Sequence, residues 1–259
     1  MIGRTDAALA ADLAQGAGEL LLAVRDELLA SGEQDQRAIA RAGDARAQAY
    51  LAERLSQERP RDAVLSEEAR DDLARLEAPR VWIIDPLDGT KEFSQGRHDW
   101  AVHVALWEDG DLAAGAVALP GIGEVLRSDE PRAVPQRAAA DTGLRFAVSR
   151  SHPSELITAV IEESGGTAVA MGSAGYKVCA VVRGEADAYV HAGGQFEWDS
   201  AAPVAVARAA GLFTSRLDGS PMQYNQRDVY LPDLIVCAPE HAPSVQGAVR
   251  AAQDRTALS

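Results

Sequence analysis

One short stretch limits this chain more than any other: the apolar strand Arg80-Val81-Trp82-Ile83-Ile84 runs directly into Asp85-Pro86-Leu87-Asp88-Gly89-Thr90. The strand delivers Asp85 to its C-terminal end, and Pro86, unable to donate to a ladder, turns the chain there. Asp85 and Asp88 are three apart across that turn, so both carboxylates can point at one locus. The Leu87 carbonyl, freed from pairing, offers a further oxygen. Hard oxygens packed this closely suit Mg²⁺. Gly89 lets the backbone approach closely, and Thr90 supplies a hydroxyl and an N–H at a helix start, a cradle for phosphate oxygens. Asp, Pro and Gly are also ordinary surface-turn residues. Taken alone, the run leaves both readings open.

Further acids narrow the choice. The short strand Asp62-Ala63-Val64-Leu65 runs into Ser66-Glu67-Glu68, and Trp198-Asp199-Ser200-Ala201-Ala202 places Asp199 at the start of a helix. As a lone acid, Asp199 would read as a structural helix cap. As one of several acids at element ends, it joins a site. An aspartyl-phosphate signature also ends in Asp-Gly-Thr, but it needs its two aspartates two apart, and here the spacing is three.

The rest of the chain reads as layered α/β. Leu9, Leu13, Leu20, Leu21, Val24 and Leu28 predict a helix over 6–30, and Tyr50, Leu51 and Leu55 predict another from about Asp44 to Glu58. A polar linker follows at 69–79. Trp100–Leu126 reads as an antiparallel meander with turns at 108–111 and at Pro120-Gly121. Residues 128–143, rich in Ala, Pro, Arg and Asp, are the expected connection between an N-terminal half (1–140) and a C-terminal half (141–259). In the second half, strands 144–148, 186–190 and 234–238 alternate with helices 155–163, 173–183 and 200–210.

Charge excludes one class of ligand. With 25 basic and 39 acidic residues the chain carries −14, which argues against a nucleic-acid polymer. A small anionic substrate remains compatible, because divalent cations held by converging carboxylates reverse the local field. No apolar run approaches the roughly 18 residues of a bilayer span. The start of the chain lacks the pattern of a signal peptide, and Cys179 and Cys237 lie in apolar runs. A cytoplasmic protein with two buried thiols and no membrane partner is expected.

Ser66-Glu67-Glu68, then Trp82-Ile83-Ile84-Asp85-Pro86-Leu87-Asp88-Gly89-Thr90, then Trp198-Asp199-Ser200-Ala201-Ala202, in that order, resembles the inositol monophosphatase-like superfamily of Mg²⁺-dependent, lithium-sensitive phosphatases. Gly172-Ser173-Ala174 and Gly184-Glu185-Ala186-Asp187-Ala188-Tyr189 extend the resemblance over almost the whole chain. It implies an αβαβα sandwich and two to three Mg²⁺ ions. It assigns Glu68, Asp85 and the Leu87 carbonyl to a first metal group, and Asp85, Asp88 and Asp199 to a second. Glu67 stands behind them, and a third, weakly held ion is implied near Glu67 and Glu68. Asp44, in Ala42-Gly43-Asp44-Ala45, resembles the acid that orients the attacking water with Thr90; from the residues alone it reads equally as a solvent-facing cap of the 44–58 helix.

Gly89-Thr90-Lys91-Glu92-Phe93 resembles the bacterial CysQ-type 3′-phosphoadenosine 5′-phosphate (PAP) phosphatases within that superfamily. So do Val148-Ser149-Arg150-Ser151-His152, Lys177 after Gly172-Ser173, and Asp218–Asn225. The inositol branch commonly has an acid where this chain has Ala192. A bisphosphate nucleotide needs cationic and hydroxyl donors for the phosphate that is not cleaved. Arg150, His152, Lys177 and His191 are the available cations, with Ser149 and Ser173 beside them. Asp88, Gly89, Thr90 and Asp199 are expected at the scissile end. The implied activity is hydrolysis of PAP to AMP and phosphate by cation-activated water, as in PAP recycling during sulfate assimilation, by a monomer or homodimer. A broader inositol-phosphate or fructose 1,6-bisphosphate phosphatase is the alternative. A catalytically silent sensor is disfavoured because Glu68, Asp85, Asp88 and Asp199 are all present.

Overall fold

The computed structural model describes residues 4–71, 73–135, 143–151 and 154–257. A first sheet is built in chain order from β1 (Ala63–Ser66), β2 (Arg80–Asp88), β3 (Ala101–Glu108), β4 (Asp111–Leu119) and β5 (Glu124–Arg127). β1 and β2 run parallel, with Ser66 level with Ile84. The other pairings are antiparallel. Both faces are covered, which is why these strands read as continuous apolar runs. Trp82 and Ile84 pack under α1 (Asp6–Ala30) and α2 (Gln36–Glu58). Val81, Ile83 and Ala105 point the other way, into a middle layer.

That middle layer is α5 (Ala174–Val182) and α6 (Glu197–Ala209). Gly115 of β4 admits α6 closely, since a Cβ there would lie 2.5 Å from the Ala205 Cβ. Beyond it lies a second sheet of β6 (Arg145–Ser149), β7 (Thr167–Met171), β8 (Ala188–Ala192), β9 (Phe213–Ser215) and β10 (Asp233–Cys237), ordered β7-β6-β8-β10-β9. Its outer face is closed by α4 (Glu155–Ser164) and α7 (Ala242–Ala257). The layers therefore run αβαβα, as the resemblance implies. The short α3 (Thr90–Ser94) sits at the end of β2. Cys179 and Cys237 are buried free thiols.

By length and composition α1 could cross a membrane, the one such helix among the described residues. Here Leu9, Leu13 and Leu21 are fully covered by the first sheet and α2, each burial worth roughly 1.5–3 kcal/mol.

Several boundaries differ from the sequence expectation. α2 begins at Gln36, because the Asp35 carboxylate caps the Arg37 N–H (2.9 Å). α6 begins at Glu197, because Asp199 reaches back to the Phe196 N–H (2.7 Å). β7, β9 and α7 were not expected. β7 is a short Ala-rich edge strand, and the core-facing stripe of α7 is only Ala242, Val245, Ala248, Val249 and Ala252. The expected boundary between halves at 140 and 141, and much of the 128–143 connection, lie outside the described residues.

Candidate active site

The site grows from an irregularity in the β2–β3 pairing. Asp85 pairs with His103 and Asp88 with Ala101, so β2 carries one residue more than its partner, and Pro86 and Leu87 have no register partner. This is a β-bulge, which redirects side chains where a ladder would hold them. The Asp85 carboxylate accepts the Leu87 N–H at 3.0 Å, and its side chain shares the middle-layer face with Val81 and Ile83. Gly89 has φ +90°, and a Cβ there would lie 3.1 Å from the Ser173 Cβ and 3.2 Å from the Trp100 Cβ. Thr90 opens α3 just beyond.

Asp88 is gripped by the N-terminus of α5. It accepts the Ser173 hydroxyl, the Ala174 N–H (3.1 Å) and the Gly175 N–H (2.6 Å). Ser173 adopts φ +47° to do this, a conformation uncommon for a residue with a side chain. The Lys177 ammonium steadies the strained turn by donating to the Gly172 and Ser173 carbonyls. Burial alone would raise the pKa of Asp88, but His103 and Ser173 outweigh it and bring it down to about 2.

The remaining acids shift the other way. Burial, then Glu67, Asp88 and Asp199, hold Asp85 well above the usual carboxylate range. Burial and then Asp88 lift Asp199 to about 7. Asp44 rises to about 7 through burial, then Glu68 and Glu67. It lies well inside α2, not at its cap. Gly43 beside it allows α2 to approach the bulge, since a Cβ would lie 2.8 Å from the Phe93 ring and 3.1 Å from the Leu87 side chain.

The resemblance sets Glu68 beside Asp85 with Glu67 behind it; in the structure Glu67 is the first neighbouring charge that bears on Asp85. Glu67 follows β1 directly; partial burial, then Asp88 and Glu68, raise its pKa. Among the causes acting on Asp44, Glu68 is the first neighbouring charge. The turn after β1 is closed by the Glu68 N–H, which folds back toward the Ser66 hydroxyl (3.3 Å).

His103 is the functional candidate that sequence reasoning missed. It is fully buried, with Nε2 3.2 Å from Asp88 Oδ2 and Nδ1 3.9 Å from Asp85 Oδ2. Nδ1 also lies 3.0 Å from the Trp198 carbonyl. Burial opposes a charged ring, but Asp88, that carbonyl and Asp199 raise its pKa overall. The available signal was one polar residue at the centre of an otherwise apolar strand, Ala101-Val102-His103-Val104-Ala105.

These donors fit a divalent cation. Asp85, Asp88 and His103 offer ligand atoms within 4.8 Å of one another. The raised pKa values of Asp85, Glu67 and Asp199 are those of hard oxygen donors crowded without compensating positive charge.

The expected phosphate-binding cations are differently employed. The Arg150 guanidinium pairs with the buried Asp99 (2.6 Å) and the Ala170 carbonyl (3.1 Å), tying β6 to the loop after α3. The Lys177 ammonium is taken up by the two carbonyls above. His191 is not a cation: burial depresses its pKa to about 4, and its Nε2 meets the Gly193 carbonyl at 2.6 Å. His152 lies outside the described residues. Ser149 and His191 help line a largely apolar cavity of about 560 Å³ with Val148, Ile157, Tyr189 and Val190. The Lys177 ammonium lies 5.3 Å over the ring of Tyr189, which lines this cavity. Lys91, at the start of α3, is an exposed cation whose ammonium donates to the Ser151 hydroxyl (3.0 Å).

Comparison with known proteins shows what the chain as a whole is similar to. A 3′-phosphoadenosine 5′-phosphate phosphatase of Mycobacterium leprae is 53% identical over 257 residues, covering 95% of this chain and 94% of its own length. The protein of that name from Mycobacterium tuberculosis is 52% identical over 240 residues, covering 90% and 89%. Among solved structures, CysQ from Bacteroides thetaiotaomicron, titled a bacterial member of the inositol monophosphatase family, superposes with a TM-score of 0.77 at 28% identity, over 90% of this chain and 97% of that one. The inositol monophosphatase family model matches residues 4–254, and with nearly the whole chain so matched, this protein belongs to the inositol monophosphatase family.

Proposed function

We propose that this phosphoric monoester hydrolase removes the 3′-phosphate of PAP, giving AMP and inorganic phosphate. The observation that carries the reading is the 53% identity to a PAP phosphatase over 95% of the chain. The largely apolar cavity of about 560 Å³ is consistent with it, being a place for a nucleoside that an inositol ring would not fill.

Mg²⁺ is the proposed cation. Glu67, Asp85 and the Leu87 carbonyl form one donor group, and Asp85, Asp88 and Asp199 a second. When bound, such ions neutralise charge on the phosphoryl group and lower the pKa of water. The chain's own residues do the rest. Gly89 leaves the backbone open to a phosphoryl oxygen, and the Thr90 hydroxyl orients the attacking water. Asp44, on which the Glu68 and Glu67 charges bear, accepts the proton that water gives up. Lys91 and Ser151, joined by a hydrogen bond, are the proposed holders of the uncleaved phosphate.

Product identity tests the regiochemistry. Incubation of PAP with Mg²⁺ and separation of the nucleotides should give 5′-AMP. Accumulation of adenosine 3′-phosphate would overturn the reading.

A further inference from the structure

We propose that Phe196 and Tyr230 form an aromatic corner against which the adenine of the substrate stacks, and that this corner favours a nucleotide over a sugar phosphate. This rests on the reading that PAP is the substrate and that Asp199 lies at the scissile end. Large apolar side chains left in water are informative where they cluster. Leu29, Val64, Leu73 and Ile122 are exposed singly, on different parts of the chain. Phe196 (37% exposed) and Tyr230 (45% exposed) instead meet, with ring centroids 5.6 Å apart and planes at 70°. Trp198 backs Phe196, with centroids 5.1 Å apart and planes 15° from parallel. A flat base that lies against one ring of such a corner meets the other edge-on, and aromatic groups favour both arrangements.

The backbone holds the corner ready. Phe196 and Tyr230 are bridged antiparallel, the Leu231 N–H donates to the Gln195 carbonyl, and the Glu197 N–H donates to the Val229 carbonyl, both at 2.9 Å. Gln195 and Glu197 are buried, which leaves Phe196 between them facing outward. Rings fixed before binding lose little freedom when a ligand arrives. The position also suits a base. The Phe196 N–H donates to the Asp199 carboxylate (2.7 Å), one helical turn further on, about 5 Å along the axis. In a nucleoside 3′-phosphate a single ribose ring separates the phosphate from the base. The corner adjoins the apolar cavity as well, since Gly194 lines that cavity and its N–H donates to the Tyr230 hydroxyl (3.1 Å). An inositol or fructose phosphate has no flat π-face to place there.

The test compares kcat/KM for PAP with kcat/KM for fructose 1,6-bisphosphate, at saturating Mg²⁺, in the full chain and its variants. Phe196→Ala and Tyr230→Ala should each lower the ratio of the two by about tenfold, the scale of losing one base–aromatic stack. Phe196→Trp, which keeps a flat ring, should hold the ratio within about threefold of the parent. Binding of 5′-AMP, measured by equilibrium dialysis, should weaken by about tenfold in the two alanine variants. Phe196→Ala retains the backbone N–H that Asp199 accepts, and Tyr230 lies outside that turn, so a folding defect in one variant leaves the other to decide. A ratio unchanged in both alanine variants would overturn the proposal. An equal fall for both substrates, with more Mg²⁺ needed for half-maximal rate, would also overturn it, by making the rings supports of the Asp199 turn. Loss of a dimer in sedimentation with the ratio unchanged would overturn it too, by making the corner a contact between copies. The parent enzyme distinguishes the underlying reading: if it shows no preference for PAP over fructose 1,6-bisphosphate, the nucleotide assignment fails and this proposal with it.

Discussion

Glu67 follows directly on β1 where Ser66 is level with Ile84 of β2, and its charge is the first neighbouring one to hold the Asp85 carboxyl above the usual range. Crowded carboxylates are relieved by taking up either a proton or a cation, so the two compete for the same place. Much of the behaviour expected of this protein follows from that competition.

Without divalent ions, stability should fall as pH rises from about 4 to 7. The folded-state pKa values of Asp44 and Asp199 are both about 7, against roughly 3.9 for an unfolded Asp. Across that window the folded state holds more protons than the unfolded state, so stability declines with pH. Added Mg²⁺ should remove the penalty, raising Tm more at pH 8 than at pH 5. Differential scanning fluorimetry with EDTA or Mg²⁺ checks this; an equal Mg²⁺ effect at both pH values would contradict it.

The two glutamates should be unequal. Glu67→Gln removes the partner of Asp85 and should lower turnover by about two orders of magnitude or more, as expected for a metal ligand. Glu68→Gln, whose nearest tie is to Asp44, should cost about tenfold or less. Steady-state rates at saturating Mg²⁺ decide, and the reverse order would restore the assignment made from the motif.

Arg150→Met should act on the fold more than on substrate binding. It leaves the buried Asp99 with the Arg97 guanidinium and the Gly172 N–H among the described residues. A loss of about 1–3 kcal/mol in denaturant unfolding is expected, with KM for PAP raised by about tenfold at most. A KM increase of about a hundredfold with unchanged stability would make Arg150 a phosphate ligand instead.

How much was legible in the sequence depended on what each residue needed. Asp85 and Asp88 could be read because a Pro within an apolar strand forces a bulge, and a bulge at a strand end presents acids. Asp199 could be read because its Trp-Asp-Ser-Ala-Ala setting is specific, although its reach back to Phe196 was not visible. The relation of Glu67 and Glu68 to the other acids was illegible: they are adjacent in one turn, and only the fold shows that Glu67 bears on Asp85 and Glu68 first on Asp44. His103 was hidden by register, since only its pairing with Asp85 across β2 and β3 gives it a role. Arg150 and Lys177 were legible as cations, but their partners Asp99, Gly172 and Ser173 are distant in sequence or backbone atoms. α7 was lost because alanine and valine at helical spacing give too faint a stripe.

Phosphate release with Mg²⁺ from PAP, inositol 1-phosphate and fructose 1,6-bisphosphate, compared as kcat/KM, tests the central claim most directly. PAP should be favoured by at least about tenfold over either competitor, a difference of about 1.4 kcal/mol in transition-state stabilisation. If inositol 1-phosphate surpasses PAP by that margin, the nucleotide assignment is wrong.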